Sequence, residues 1–147
     1  MWTYRNKPFN EDDAQQFMGF VYIITNLTNN KKYIGKKLFT KSKRKQVKGK
    51  IKRTRATSDW ETYWGSNKIL QEEVKTIGES NFIKEILHLC KTKSECAYME
   101  THEIFLHGAL LDSSYYNEWC SCKITKSHLI NNMNIRESIK NATTVHS

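Results

Sequence analysis

The stretch from Gly19 to Gly35, GFVYIITNLTNNKKYIG, leaves the chain few options. Phe20 to Thr25 is β-branched and aromatic, Asn26 to Asn30 is turn chemistry, and Lys32 to Ile34 is extended again, so the segment predicts a β-hairpin. With the turn centred on Leu27 and Thr28, Tyr22 lies opposite Tyr33, and opposed residues on antiparallel strands share a face. Two readings follow from spacing alone. The hydroxyls share a site, or the rings pack as core aromatics whose hydroxyls find carbonyl partners.

The remaining elements are read from periodicity and caps. Asn10 caps a short helix over residues 11–17, after Pro8. Residues 36–57 show no clear period and predict a loop with at most one helical turn. Ser66 caps a helix over residues 67–77 with Leu70, Val74 and Ile77 on one face and Gly78 just beyond its end. Phe82 to Leu89 is a third strand. Thr92-Lys93-Ser94-Glu95 has the form of a capping box and starts a helix that runs to about His107, stopped by Gly108. From Lys123 onward the chain is polar, with Ile135 and Ile139 able to share a helical face.

Charge is distributed unevenly along these elements. Residues 14–58 hold no Asp or Glu but 13 of the 24 basic residues, while the rest of the chain sets 11 basic against 15 acidic residues. The net charge of +9 therefore comes from one segment, flanked by apolar elements, as an insertion in a folded domain is. Such a segment meets a polyanion well, because each neutralised phosphate releases condensed counterions. Lys36, Lys37, Lys41, Lys43, Lys45, Lys48, Lys50, Lys52, Arg53 and Arg55 are the candidate nucleic-acid contacts; the other readings are a solvated basic loop or one that meets an acidic protein or membrane surface. Trp60, Tyr63 and Trp64 follow the basic segment and either stack on bases or pack in the core.

Length and composition bound the rest. A chain of 147 residues with 38% hydrophobic residues is expected to form one globular core. It has no run of 18 apolar residues and no signal-peptide pattern, so no membrane segment is expected, and a cytoplasmic, intracellular location is. Cys90, Cys96, Cys120 and Cys122 are then expected as thiols; they lack the Cys-x2-Cys pairs of a zinc site.

Phe20-Val21-Tyr22, followed eleven residues after its tyrosine by Tyr33-Ile34-Gly35, resembles the paired signature of the GIY-YIG nucleases. The likeness continues through Ser66-Asn67-Lys68-Ile69-Leu70-Gln71, Gly78, Asn81-Phe82, Glu85-Ile86-Leu87, Met99-Glu100 and Tyr115-Tyr116-Asn117, the order of phage-type members. It implies an α/β (α+β) fold, a small three-stranded antiparallel sheet flanked by helices. It also implies DNA as partner and phosphodiester hydrolysis with one Mg²⁺ or Mn²⁺ held by Glu100. Tyr22, Tyr33, Arg44 and Glu100 are the implied catalytic residues, Arg53 or Arg55 the alternatives to Arg44, and Asn117 a DNA-binding residue. The expected organisation is an extension over residues 1–18, the nuclease domain over 19–122 and a polar tail over 123–147, acting as a monomer of modest sequence selectivity. The other reading is a non-catalytic nucleic-acid-binding protein that keeps the fold; a basic RNA-binding or assembly factor is a third.

These residues suit the chemistry on their own terms. Hydrolysis needs a positioned water, a base, and positive charge for oxygens that gain negative charge. A phenol, with a pKa of about 10, is a poor base without help from nearby positive charge. Lys36 and Lys37 follow Gly35 directly, and Gly35 permits close approach of backbone or phosphate. Glu103 is a second candidate ligand one turn after Glu100, and His102 lies on a different face of that helix.

Overall fold

The computed structural model describes residues 1–146; the side chains of Lys45, Lys52 and Arg53, three expected DNA contacts, lie outside the described residues, as do those of residues 141–146 and Ser147. The elements are β1 (Trp2–Tyr4), β2 (Lys7–Pro8), α1 (Glu11–Ala14), β3 (Gly19–Asn26), β4 (Lys32–Leu38), β5 (Thr40–Val47), β6 (Lys50–Thr57), α2 (Lys68–Ile77), β7 (Phe82–Cys90), α3 (Lys93–Leu106), α4 (Lys126–Leu129) and α5 (Met133–His146). Short 3₁₀ turns fall at Trp60–Thr62 and Glu79–Asn81.

The fold is mixed α/β, and its sheet is larger than the three strands expected. The antiparallel trio β7-β3-β4 extends to a five-stranded sheet in the order β2-β1-β7-β3-β4, with β1 parallel to β7. The extra strands come from residues 2–8, joined through Arg5 and Asn6, both at positive φ as a two-residue hairpin turn requires. Trp2 anchors them. It is 2% exposed, its Nε1–H donates to the Trp60 carbonyl at 2.8 Å, and its ring meets Phe20 and Tyr22 edge-on.

Strand β3 is buried on both faces, which is why it reads as a continuous apolar run. Phe20, Tyr22 and Ile24 enter one cluster with Phe39, Trp60, Leu70 and Val74, on the side covered by α2. Val21 and Ile23 enter a second with Ile34, Cys96, Met99 and Ile104, on the side covered by α3. Ile135 is buried in that second cluster and Ile139 packs against it, so the polar tail contributes one apolar helical face. Asn134 of this tail donates to the Leu89 carbonyl and to Glu95, which is also paired with His88 at 2.7 Å. These bonds fasten the tail to β7 and α3.

Residues 36–57 are not a loop. After β4 the chain forms β5 and β6, a separate two-stranded antiparallel ribbon that registers Thr40 with Thr57 and Val47 with Lys50. Its turn is Lys48-Gly49, both at positive φ. Two smaller expectations also shift. Helix α1 is a single turn, shorter than residues 11–17, and the cap of α2 is Asn67, whose Oδ1 accepts the Leu70 N–H at 3.0 Å, rather than Ser66. No helix among the described residues is long and apolar enough to cross a membrane.

Candidate active site

The site grows from the outer edge of β4. A terminal strand exposes every second N–H and C=O, and these must find partners. At Lys32 they pair with backbone: the Lys32 N–H donates to the Ser114 carbonyl at 2.9 Å and the Tyr116 N–H to the Lys32 carbonyl at 2.7 Å. At Ile34 the side chain of Asn117 replaces a strand, accepting the Ile34 N–H on Oδ1 at 3.0 Å and donating from Nδ2 to the Ile34 carbonyl at 2.8 Å. At Lys36 the backbone N–H donates to the carboxylate of Glu100, on α3. Asn117, expected to bind DNA, is thus a clip on the strand. It ends the strap just where Glu100 takes over.

An open cleft of about 550 Å³ follows this edge, lined by Tyr22, Tyr33, Lys36, Ser66, Glu100 and Trp119 among others. The two sheet faces contribute different chemistry. Tyr22 and Tyr33 come from the face under α2, and Glu100 from the helix packed on the other face.

The two tyrosines share a face, as expected, but do not stand opposite each other. Tyr22 pairs with Gly35, and Tyr33 with Ile24. The hairpin loop centres between Thr28 and Asn29, one residue later than expected, with Asn30 at φ 61. Moving the centre by one residue moves each partner by two, so the face is preserved and the partner is not. Gly35 consequently makes room for the Tyr22 ring, because a Cβ there would overlap the Tyr22 hydroxyl. Gly65, at φ 86, does the same from the opposite wall, where a Cβ would lie 3.1 Å from the Tyr33 ring.

A chain of hydroxyls links the pair. The Tyr22 hydroxyl is hydrogen-bonded to that of Tyr63, Tyr63 to Ser66, and Ser66 Oγ lies 3.1 Å from the Tyr33 hydroxyl. Burial raises the pKa of Tyr22 well above its ordinary value, reinforced by Tyr33, Tyr63 and Glu100. Burial also raises that of Tyr33, opposed by the Ser66 hydrogen bond. Both are therefore neutral phenols near pH 7. Burial raises the carboxyl of Glu100 too, with the charge and the backbone N–H of Lys36 opposing. A partly buried carboxylate on an open, polar cleft fits a hard divalent cation that takes one protein oxygen and keeps most of its waters.

Other expected residues are placed differently. Lys37 pairs with Asp59 at 2.7 Å and lies 4.0 Å from the centre of the Tyr63 ring, so it positions Tyr63. Arg44 and Arg55 are on the ribbon and do not line the cleft; Arg55 is tied to Thr40, donating to its Oγ1 at 2.6 Å. Among the described residues lining the cleft the cation is Lys36, with no arginine. Lys41, Lys43, Lys48 and Lys50 are exposed on the ribbon. Glu103 pairs with His107 at 3.2 Å and not with Glu100, and neither it nor His102 lines the cleft. Trp60 is 2% exposed and belongs to the core. Sequence reasoning missed Ser66 as a tyrosine partner, Gly65, and Trp119, which stands 74% exposed at the rim. An isolated tryptophan after Asn117 has no periodic pattern to reveal its exposure.

A central antiparallel trio with a tyrosine-bearing hairpin on its edge, packed between helices, is the layout of a GIY-YIG domain. Residues 2–120 match the family described as "Putative endonuclease segE, GIY-YIG domain", and the chain belongs to that family. It is also 38% identical over 99 residues to "Putative endonuclease segE" of Enterobacteria phage T4, a match covering 67% of this chain and 39% of the relative. The chain thus spans about two fifths of that relative's length. No solved structure matches.

Proposed function

We propose that the protein is a DNA endonuclease that hydrolyses a phosphodiester bond in the cleft beside β4, as a monomer in the cytoplasm of the host cell. The observation that carries this reading is the convergence, on one strand edge, of two neutral phenols, a lysine and a partly buried carboxylate.

Each residue has a role suited to its state. Glu100 would hold one Mg²⁺ or Mn²⁺, which when bound would supply positive charge for the oxygen that leaves. Tyr33, solvent-accessible and held by Ser66, orients the attacking water and accepts a hydrogen bond from it. Tyr22, buried against Gly35, holds the hydroxyl chain in place through Tyr63. The ammonium of Lys36 neutralises a non-bridging phosphate oxygen in the place expected for Arg44. Asn117 fixes β4 so that the Lys36 N–H meets Glu100.

The second reading, a binder that keeps the fold without cutting, is favoured by the lack of an arginine among the described residues of the cleft. Incubating purified protein with supercoiled plasmid in Mg²⁺ or in EDTA separates the two. Nicking with Mg²⁺ that EDTA stops supports the nuclease. Binding without nicking under Mg²⁺ or Mn²⁺ supports the binder.

A further inference from the structure

The β5–β6 ribbon sorts its cations by type. In the antiparallel register Lys41 pairs with Ala56, Lys43 with Thr54, Lys45 with Lys52 and Val47 with Lys50, whereas Ser42 pairs with Arg55, Arg44 with Arg53 and Gln46 with Ile51. Cross-strand partners share a face and successive pairs alternate. Among the described side chains, Lys41, Lys43 and Lys50 therefore take one face, and Arg44 and Arg55 take the other, together with Ser42, Gln46 and Ile51.

Neither face of the ribbon covers a core. Ser42, Lys43, Arg44, Gln46, Lys50 and Ile51 are exposed, and among the described residues Arg44 and Gln46 have no side-chain partner. An isolated two-stranded ribbon is marginal in water, and a run of cations with no acidic residue among them, as over residues 40–57, weakens it further. A polyanion relieves that repulsion.

We propose that the ribbon is a sequence-reading element that lies in the major groove of duplex DNA, its Ser42-Arg44-Gln46 face toward the base edges and its lysine face toward the phosphates at the groove mouth. The B-form major groove, about 12 Å wide, admits a two-stranded ribbon. Eight residues per strand reach about 26 Å. Arginine forks onto guanine O6 and N7 and glutamine onto adenine, whereas lysine is a point charge suited to phosphates. A purely electrostatic arm has no reason to separate the two cations by face. The reading rests on DNA being the substrate, and it replaces modest selectivity with a defined preference.

The test is selection by the full-length protein from randomised B-form duplexes in EDTA, followed by affinity measurements on the enriched and a scrambled duplex. Wild type is expected to enrich a motif containing guanine. Arg44→Lys, which keeps the charge, and Gln46→Ala should each reduce the preference for enriched over scrambled duplex about tenfold. Lys43→Gln with Lys50→Gln should weaken both duplexes alike and leave the motif intact. Replacing the enriched guanine with 7-deazaguanine should weaken wild type and not Arg44→Lys. Binding without enrichment, or a motif unchanged in Arg44→Lys and Gln46→Ala, overturns the proposal, and equal competition by an A-form RNA duplex overturns the groove assignment. A wild type that nicks plasmid yet enriches no motif refutes the ribbon reading alone. One that enriches a motif yet never nicks refutes only the nuclease reading.

Discussion

The cleft and the ribbon are built on opposite principles. Around the cleft nearly every group is tied: Tyr22 to Tyr63 and against Gly35, Tyr33 to Ser66, Lys37 to Asp59, and Asn117 to Ile34. On the ribbon, Arg44 and Gln46 have no partner among the described residues, and the backbone itself is held mainly by its own ladder. Reacting groups must be held within fractions of an ångström, so they sit where the core fixes them. Groups that track a long polyanion gain from reach and charge, and an exposed ribbon supplies both.

That contrast predicts which variants change chemistry and which change binding. Tyr33→Phe removes one hydroxyl and no packing, so plasmid nicking should fall about 100- to 1,000-fold while DNA affinity and melting temperature stay unchanged. Gly35→Ala should be the most damaging to the fold among cleft variants, costing about 1–3 kcal/mol in chemical denaturation because the Tyr22 ring must move. Asn117→Ala leaves the Ile34 N–H and carbonyl without their partner and should cost about 1 kcal/mol. The ribbon gives the smallest effects. Replacing Lys43 and Lys50 by Gln should leave stability within about 0.5 kcal/mol and flatten the dependence of log affinity on log salt by up to about 0.9 for each lost contact. A change in nicking rate at saturating DNA in that variant would break the division between the two regions.

The same contrast explains what could be read without coordinates. The hairpin, the third strand, α2 and α3 declare themselves through apolar periodicity and caps, because each buries a face. Strand β5 alternates too, but lysine alternates there with serine, arginine and glutamine, and the alternation of one polar residue with another has no apolar signal. The turn after it, Lys48-Gly49, lacks the asparagine or aspartate that usually announces a hairpin. Strand β1 is three residues long, too short for a period, and its place beside β7 depends on the distant Trp60 carbonyl. Tyr22, Tyr33 and Glu100, singled out by motif, all line the cleft, whereas Arg44 and Arg55 lie on the ribbon and do not, because their segment gives no sign of being a strand.

Protonation separates activity from stability at Glu100. Its carboxyl is raised by burial, so the folded protein binds this proton more tightly than the unfolded chain does. Its contribution therefore favours the fold at acid pH and is lost as pH rises through the raised value, while a bound cation needs the ionised form. Protons should accordingly compete with the cation, so nicking at subsaturating Mg²⁺ should weaken on acidification while the fold remains intact by circular dichroism, and added Mg²⁺ should restore it. Acid loss of nicking that added Mg²⁺ does not reverse would contradict the buried-ligand assignment.

Glu100→Gln is the most direct test of the cleft as a metal-assisted hydrolytic site. Glutamine keeps size and can still accept the Lys36 N–H, but removes the charge that would hold the cation. Nicking by wild type and variant should be compared in Mg²⁺ and in Mn²⁺, alongside DNA affinity and melting temperature at neutral pH. The account predicts no nicking by Glu100→Gln, DNA affinity equal to or above wild type, and a melting temperature no lower. Metal-dependent nicking retained by a folded Glu100→Gln protein would contradict it.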